Sequence, residues 1–376
     1  MSSMGKEKQQ DTTEKLLSLA GIKVGGNNPW DIVVRDPRFY QVVLSRGSLG
    51  LGESYMDGWW DCNALDEFFF RILRSHLEEK VKKNWVLIRE VLWARLINLQ
   101  SKERAFDIGR KHYDLGNELY TNMLDRRMVY SCGYWQNAGD LNEAQENKMD
   151  LICRKLFLKP GMKLLDIGCG WGSFLKYATE RYGVKAVGIT VSAEQVELGL
   201  QICTNLPVEI RLQDYRDVNE KFDRIVSVGM IEHVGYKNYR VYMEMVRRCL
   251  NEDGLFLLHT IGGNKSVTSV DPWINKYIFQ NGMLPSIKQL GQSIEGLFVM
   301  EDWHNFSADY DRTLIEWHLK LEKNWGNLKS KYDEKFRRMW KYYLLSCAGA
   351  FRARGNQLWQ VVLSPNGVIG GYKSIR

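Results

Sequence analysis

The stretch SVGMIEHVGYKNY, residues 227–239, sets a carboxylate and an imidazole side by side at Glu232 and His233, directly after the apolar run Phe222, Ile225, Val226 and Val228. Ionisable groups at a buried strand end are costly when unpaired, so such a pair usually holds something. A second stretch equipped for chemistry is LLDIGCGWGSF, where an apolar strand ends in Asp166 and is followed by Gly168, Gly170 and Gly172 and then the apolar start of a helix. Glycines let the backbone approach a ligand closely, and a helix N-terminus favours a carboxylate or phosphate. The spacing is G-x-G-x-G, because Ser173 stands where a dinucleotide loop carries its third glycine. A tight turn in any α/β protein is the plain alternative.

These residues need a scaffold. From about Leu158 onward the segments MKLLDIG, KAVGIT, VEIRL, FDRIVSVG, GLFLLH, FVMEDW and LWQVVLS alternate mostly with helical patterns, which predicts an α/β fold: a doubly wound, mostly parallel sheet of seven strands. A smaller, mainly helical N-terminal domain precedes it. Its expected divisions are a solvated, flexible tail at 1–15, a lipid-contacting or dimerisation domain at 16–105 and a catalytic domain at 106–376. GSLGLGESYMDGWWDC reads as a tight, aromatic-rich turn region whose aromatics suit an interface or a core equally. The basic amphipathic stretch from Phe68 to Arg95 fits either a membrane surface or a helix packed internally. Residues 262–286 are too long for a plain connector and predict a lid or a substrate-facing insertion.

With 376 residues, 44% of them apolar, the chain can bury a large core. No apolar run approaches the ~20 residues that span a bilayer, and the N-terminus lacks a signal-peptide core, so a cytoplasmic protein is expected. Seven scattered cysteines without a C-x-x-C pair predict reduced thiols. The net charge of +7 favours an anionic partner, nucleic acid or an acidic membrane.

The glycine loop resembles that of S-adenosylmethionine (SAM) methyltransferases. On that resemblance Asp166, Gly168, Gly170 and Gly172 form the loop. Thr190 ends the second strand where an acidic ribose ligand is usual, with Glu194 or Gln195 in reach to replace it. Gln213, Asp214 and Tyr215 are suited to bonding and covering the adenine. A wider set of segments, ESYMDGWWD, HYDLGNELY, YSCGYW, LLDIGCGWG, GITVSAEQ, VSVGMIEHVG, LLHTIGG, LPSI, DWHNFSADYDRTL and CAGAFRAR, resembles the cyclopropane-fatty-acyl-phospholipid and mycolic acid cyclopropane synthases in order over about residues 45–363. The resemblance implies that SAM gives its methyl to a cis double bond of a phospholipid acyl chain, and that a bound bicarbonate takes a proton from that methyl as the ring closes. It implies that Glu232, His259 and Tyr310, with the backbone amides of Cys132 and Ile261, hold the bicarbonate, that His233 is a neighbour rather than a ligand, and that Tyr130 and Ser131 contact SAM. Tyr134, Trp135, Phe279, Trp303 and Phe306 are candidates to soften a developing cation, although each is also plausible core. Cys347 matches a cysteine singled out as a nucleophile in the family, yet methyl transfer to an alkene needs no covalent enzyme intermediate.

A metal site competes for Glu232 and His259, but no close ligand spacing accompanies them and no metal is expected. Further expectations from the resemblance are peripheral association with the inner face of the membrane, a preference for anionic lipid, and a homodimer. The rivals are a methyltransferase that stops before ring closure or acts on a small amine, a nucleic-acid methyltransferase, and a non-catalytic lipid-binding protein. The second would want a proline-rich motif for a flipped base, which is absent, so nucleic acid is not an expected partner.

Overall fold

The computed structural model describes residues 3–77 and 116–376. In chain order the elements are α1 (Ser3–Ser18), β1 (Ile32–Val34), α2 (Arg38–Met56), β2 (Trp60–Cys62), α3 (Leu65–Arg74), α4 (Asn117–Met123), α5 (Leu141–Lys155), β3 (Lys163–Ile167), α6 (Ser173–Tyr182), β4 (Lys185–Thr190), α7 (Ala193–Ile202), β5 (Val208–Leu212), β6 (Phe222–Val228), α8 (Tyr239–Cys249), β7 (Leu250–Gly263), α9 (Pro272–Tyr277), α10 (Ile287–Ile294), β8 (Val299–Asn305), α11 (Ala308–Leu328), α12 (Glu334–Arg352) and β9 (Asn356–Ser364). They group into two compact units, one of residues 1–123, 270–280 and 314–355, the other of 124–269, 281–313 and 356–376.

The second unit is the seven-stranded sheet, in the order β5-β4-β3-β6-β7-β9-β8. The run from β5 to β7 is parallel, and β9 pairs antiparallel with both β7 and β8. All seven strands coincide with the segments expected from sequence. The chain leaves β3 outward through β4 and β5, then returns to β6 on the other side of β3. This reversal opens a crevice at the carboxyl ends of β3 and β6, where open α/β sheets bind ligands. Both faces are covered. Phe256, Leu258, Trp359 and Val361 pack on one side with Tyr242 and Val246 of α8, while Leu255, Leu257 and Val362 pack on the other with Ile152 of α5 and Leu175 of α6.

The first unit is mainly helical, with a short antiparallel β1–β2 ribbon. Its aromatics form a core: Tyr55 lies 5.0 Å from Trp60, Trp60 5.2 Å from Phe68, Phe69 5.0 Å from Tyr342, and Tyr342 4.4 Å from Trp273. Trp60 is fully buried, so it serves the core rather than an interface.

Three expectations change. Residues 1–15 are not a solvated tail, because α1 buries Gln9, Thr12, Thr13 and Leu17 at helical spacing, and the Thr12 and Thr13 hydroxyls donate back to the carbonyls of Lys8 and Gln9. The glycine-rich stretch is a turn only at 57–59, before β2; its residues 47–56 are the second half of α2, kinked at Gly47. There Gly52 sits so close to the Trp273 indole that a Cβ would lie 2.3 Å from it. The expected division at 105/106 lies outside the described residues, and 270–280 and 314–355 group with the N-terminal helices rather than with the sheet. The basic stretch is described only through residue 77, so Lys80, Lys82, Lys83 and Arg95 also lie outside.

Candidate active site

β3 ends at Ile167, and the loop beyond it carries φ values of +82° at Gly168, +55° at Gly170 and +80° at Gly172. Such values favour glycine strongly. A Cβ on Gly168 would come within 2.9 Å of Met230, which follows β6, so the two strand-end loops meet here. Ser173 opens α6 and donates its hydroxyl to the Arg127 carbonyl, tying the 124–131 segment to the loop. Asp166 is buried with Oδ1 lacking a partner among the described residues, and burial raises its pKa to about 7 against the pull of Lys148. Lys148 is itself buried, which lowers its pKa to about 8, and it donates to Ser131 Oγ over 2.7 Å. Gln145 Nε2 donates to the Ser131 carbonyl, and Tyr130 precedes it, half-buried.

At the end of β4 the Thr190 hydroxyl donates to Gln195 Oε1 over 2.6 Å, and the Thr190 carbonyl accepts from the Gln213 amide. Gln195 is therefore joined to the strand end, whereas Glu194 is exposed. Asp214 caps the turn that follows by accepting from the Arg216 amide. Tyr215 is buried with its ring 5.2 Å from that of Tyr242, within the core of the sheet.

Glu232 lies in a single 3-10 turn, Ile231–His233, just beyond β6. Its Oε1 accepts from the Ile261 amide at 2.7 Å, and its carbonyl accepts from the Met283 amide, which fastens the 262–286 insertion to the site. The Ile261 amide expected to face an anion is thus committed to Glu232. Burial raises the Glu232 carboxyl to about 7, and Oε2 has no hydrogen-bond partner among the described residues. His233 points outward and is exposed.

His259 sits on β7 opposite Val228 of β6 and Gln360 of β9. Its Nε2 is buried without a partner among the described residues, and its Nδ1 lies 3.3 Å from Gln360 Nε2. Burial holds its pKa well below the ordinary value, and Lys148, Lys155 and His304 push the same way. The Phe306 ring is 5.7 Å from His259 and 5.3 Å from Tyr134. Trp135 donates from Nε1 to Thr313 and carries the Arg312 guanidinium over its ring. Trp303 packs on Trp359, on the opposite face of the sheet from His259, which removes it from the aromatic set around that ring. Phe279 packs on Tyr343 within the helical unit.

Tyr310 is buried in the first turn of α11, four residues after Phe306. One turn further, Thr313 accepts from the Gly133 amide and lies 3.7 Å from the Cys132 sulfur, anchoring the YSCGYW loop. The Cys132 thiol is fully buried and held well above its ordinary pKa. Cys347, on α12 of the helical unit, has a thiol raised to about 12 by desolvation, which disfavours the thiolate a nucleophile needs. Lys148, Thr313 and Gln360 were missed from sequence. The one available signal was a polar residue inside an otherwise apolar run, as at Gln360 in LWQVVLS. Among the described residues no group of three or more His, Cys, Asp and Glu side chains is placed to hold a metal ion.

The sheet unit offers a loop of positive-φ glycines suited to a small charged cofactor and two buried polar atoms unpartnered among the described residues, Glu232 Oε2 and His259 Nε2, suited to a small anion. The family model described as mycolic acid cyclopropane synthetase matches residues 100–361. The chain is 55% identical over 362 residues to the cyclopropane-fatty-acyl-phospholipid synthase of Escherichia coli K12, covering 96% of this chain and 94% of that one. Among solved structures it is similar to the cyclopropane synthase MmaA2 from Mycobacterium tuberculosis, with a TM-score of 0.63 and 31% identity over 67% of this chain and 95% of that one. It is equally similar to the mycolic acid cyclopropane synthase CmaA1 complexed with SAH and CTAB, with a TM-score of 0.63 and 32% identity over 68% and 96%.

Proposed function

The chain belongs to the mycolic acid cyclopropane synthetase family of SAM-dependent methyltransferases, and from that membership we propose that it transfers a methylene unit from SAM to the cis double bond of unsaturated acyl chains in membrane phospholipids, with bicarbonate held as proton acceptor. The observation that carries the anion part is that two buried atoms, Glu232 Oε2 and His259 Nε2, are unpartnered among the described residues.

Bound at the glycine loop, SAM supplies an electrophilic methyl. The fit rests on the positive-φ glycines and on Asp166, whose buried Oδ1 lacks a partner among the described residues. An alkene needs no base to act as a nucleophile, so the protein's tasks are to align it, to tolerate the cation that forms and to hold a group that takes the proton. The Phe306 ring beside His259, and the Tyr134 ring packed on Phe306, suit the second task, at roughly 0.5–2 kcal/mol each. Glu232 suits the third. With Oε1 accepting from Ile261 and a carboxyl pKa of about 7, it carries its proton on Oε2 for much of the time and can donate it to an anion. The Tyr310 hydroxyl and the Cys132 amide complete the proposed set.

The proposal includes peripheral docking to anionic lipid on the inner face of the membrane, which the charge of +7 supports, and a homodimer. No helix among the described residues is long and apolar enough to cross a membrane. The test is turnover on vesicles of monounsaturated anionic phospholipid in carbonate-depleted buffer. SAM-dependent cyclopropane product should appear, rise on addition of bicarbonate and fall at high salt as vesicle binding weakens. Product formation indifferent to bicarbonate would remove the anion from the reading, and unmodified acyl chains would remove the reading itself.

A further inference from the structure

Gln360 interrupts an apolar strand and is fully buried. In the antiparallel ladder of β7 and β9 it is the direct partner of His259, so the two side chains leave the same face of the sheet side by side. In the orientation the Gln360 amide takes, with Oε1 buried and unpartnered among the described residues, its nitrogen can only donate, so the ring nitrogen 3.3 Å from it, Nδ1, accepts. A neutral imidazole has one N–H, which then resides on Nε2, the buried atom without a partner among the described residues.

We propose that Gln360 is a positioning residue that fixes His259 as the Nε2–H tautomer and so turns a hydrogen-bond donor toward the anion site. The consequence for catalysis rests on the function proposed above, whereas the tautomer itself does not. Burial, reinforced by Lys148, Lys155 and His304, disfavours a second proton on the ring, so its tautomer rather than its charge decides what His259 offers. The opposite amide orientation would set Oε1 against Nδ1, demand Nδ1–H and aim a lone pair where an anion is to bind. His259 is thereby a holder of the proton acceptor and is not itself the acceptor.

The experiment is nitrogen NMR of the whole protein labelled only in its six histidines, with the His259 signals identified by their loss in His259→Asn. Wild type should show a neutral ring protonated at Nε2. Gln360→Met keeps the size but removes the donor, and it should yield a mixture containing the Nδ1–H form. In that variant turnover should fall about tenfold or more, the bicarbonate needed for half-maximal rate should rise several-fold, and SAM affinity should stay within about twofold. A wild-type ring protonated at Nδ1 or at both nitrogens overturns the proposal, as does an unchanged tautomer in Gln360→Met. If that variant does not fold, the wild-type spectrum alone decides. Because the tautomer is read without turnover, failure of the catalytic reading and failure of this one are distinguishable.

Discussion

Burial holds the Glu232 carboxyl at about 7, against an ordinary value of 4.5. Between those values the unfolded chain has lost a proton that the folded protein keeps, so stability falls as pH rises through that window and the loss is complete above the folded pKa. Glutamine preserves the acceptor for the Ile261 amide and does not titrate. Ligand-free Glu232→Gln should therefore match wild type near pH 4 and exceed it near pH 8, by about 3 kcal/mol at most. Urea unfolding at the two pH values measures the difference, and identical pH dependence in both proteins would contradict the assigned burial. Sequence alone exposed the ionisable pair in MIEHVG, but not which member faces inward. The backbone decides that: one 3-10 turn buries Glu232 and exposes His233. Gln360 stood out as a polar residue in an apolar run, but its role was illegible for a different reason, since its partner lies 101 residues away across a strand pairing that no local spacing encodes.

The glycine loop works as a unit with the strand and helix it joins. At a φ of +82° and with a would-be Cβ 2.9 Å from Met230, Gly168 has neither the conformation nor the space for a side chain. Gly168→Ala should cost about 1–2 kcal/mol of stability from the left-handed backbone alone. By shifting the loop against Met230 it should also weaken SAM binding by about tenfold or more. Thermal unfolding and SAM calorimetry measure both, and an alanine variant unchanged in either would remove the loop from the cofactor site. The sheet strands were legible because fully buried parallel strands read as continuous apolar runs. Helices α1 and α2 were not, because α1 buries threonine and glutamine where leucine would have announced a face, and α2 spends its glycines on close approach to Val42 and Trp273 instead of on turns.

Across the whole molecule, the helical unit is assembled from three separate stretches of chain, which no composition change marks. The position of its aromatics was readable and their burial was not, since YMDGWWD suits a core and an interface alike. The sheet unit carries the candidate residues on β3, β4, β6, β7 and β9 and on the loops that follow them, so the account stands or falls on the reaction they perform. The most direct measurement uses SAM carrying a fully deuterated methyl, with monounsaturated phospholipid vesicles, and mass analysis of the released acyl chains. The account predicts a saturated ring that keeps two of the three deuterium atoms, because one leaves the transferred methyl as the ring closes. An acyl chain that keeps all three deuterium atoms and a double bond would contradict it.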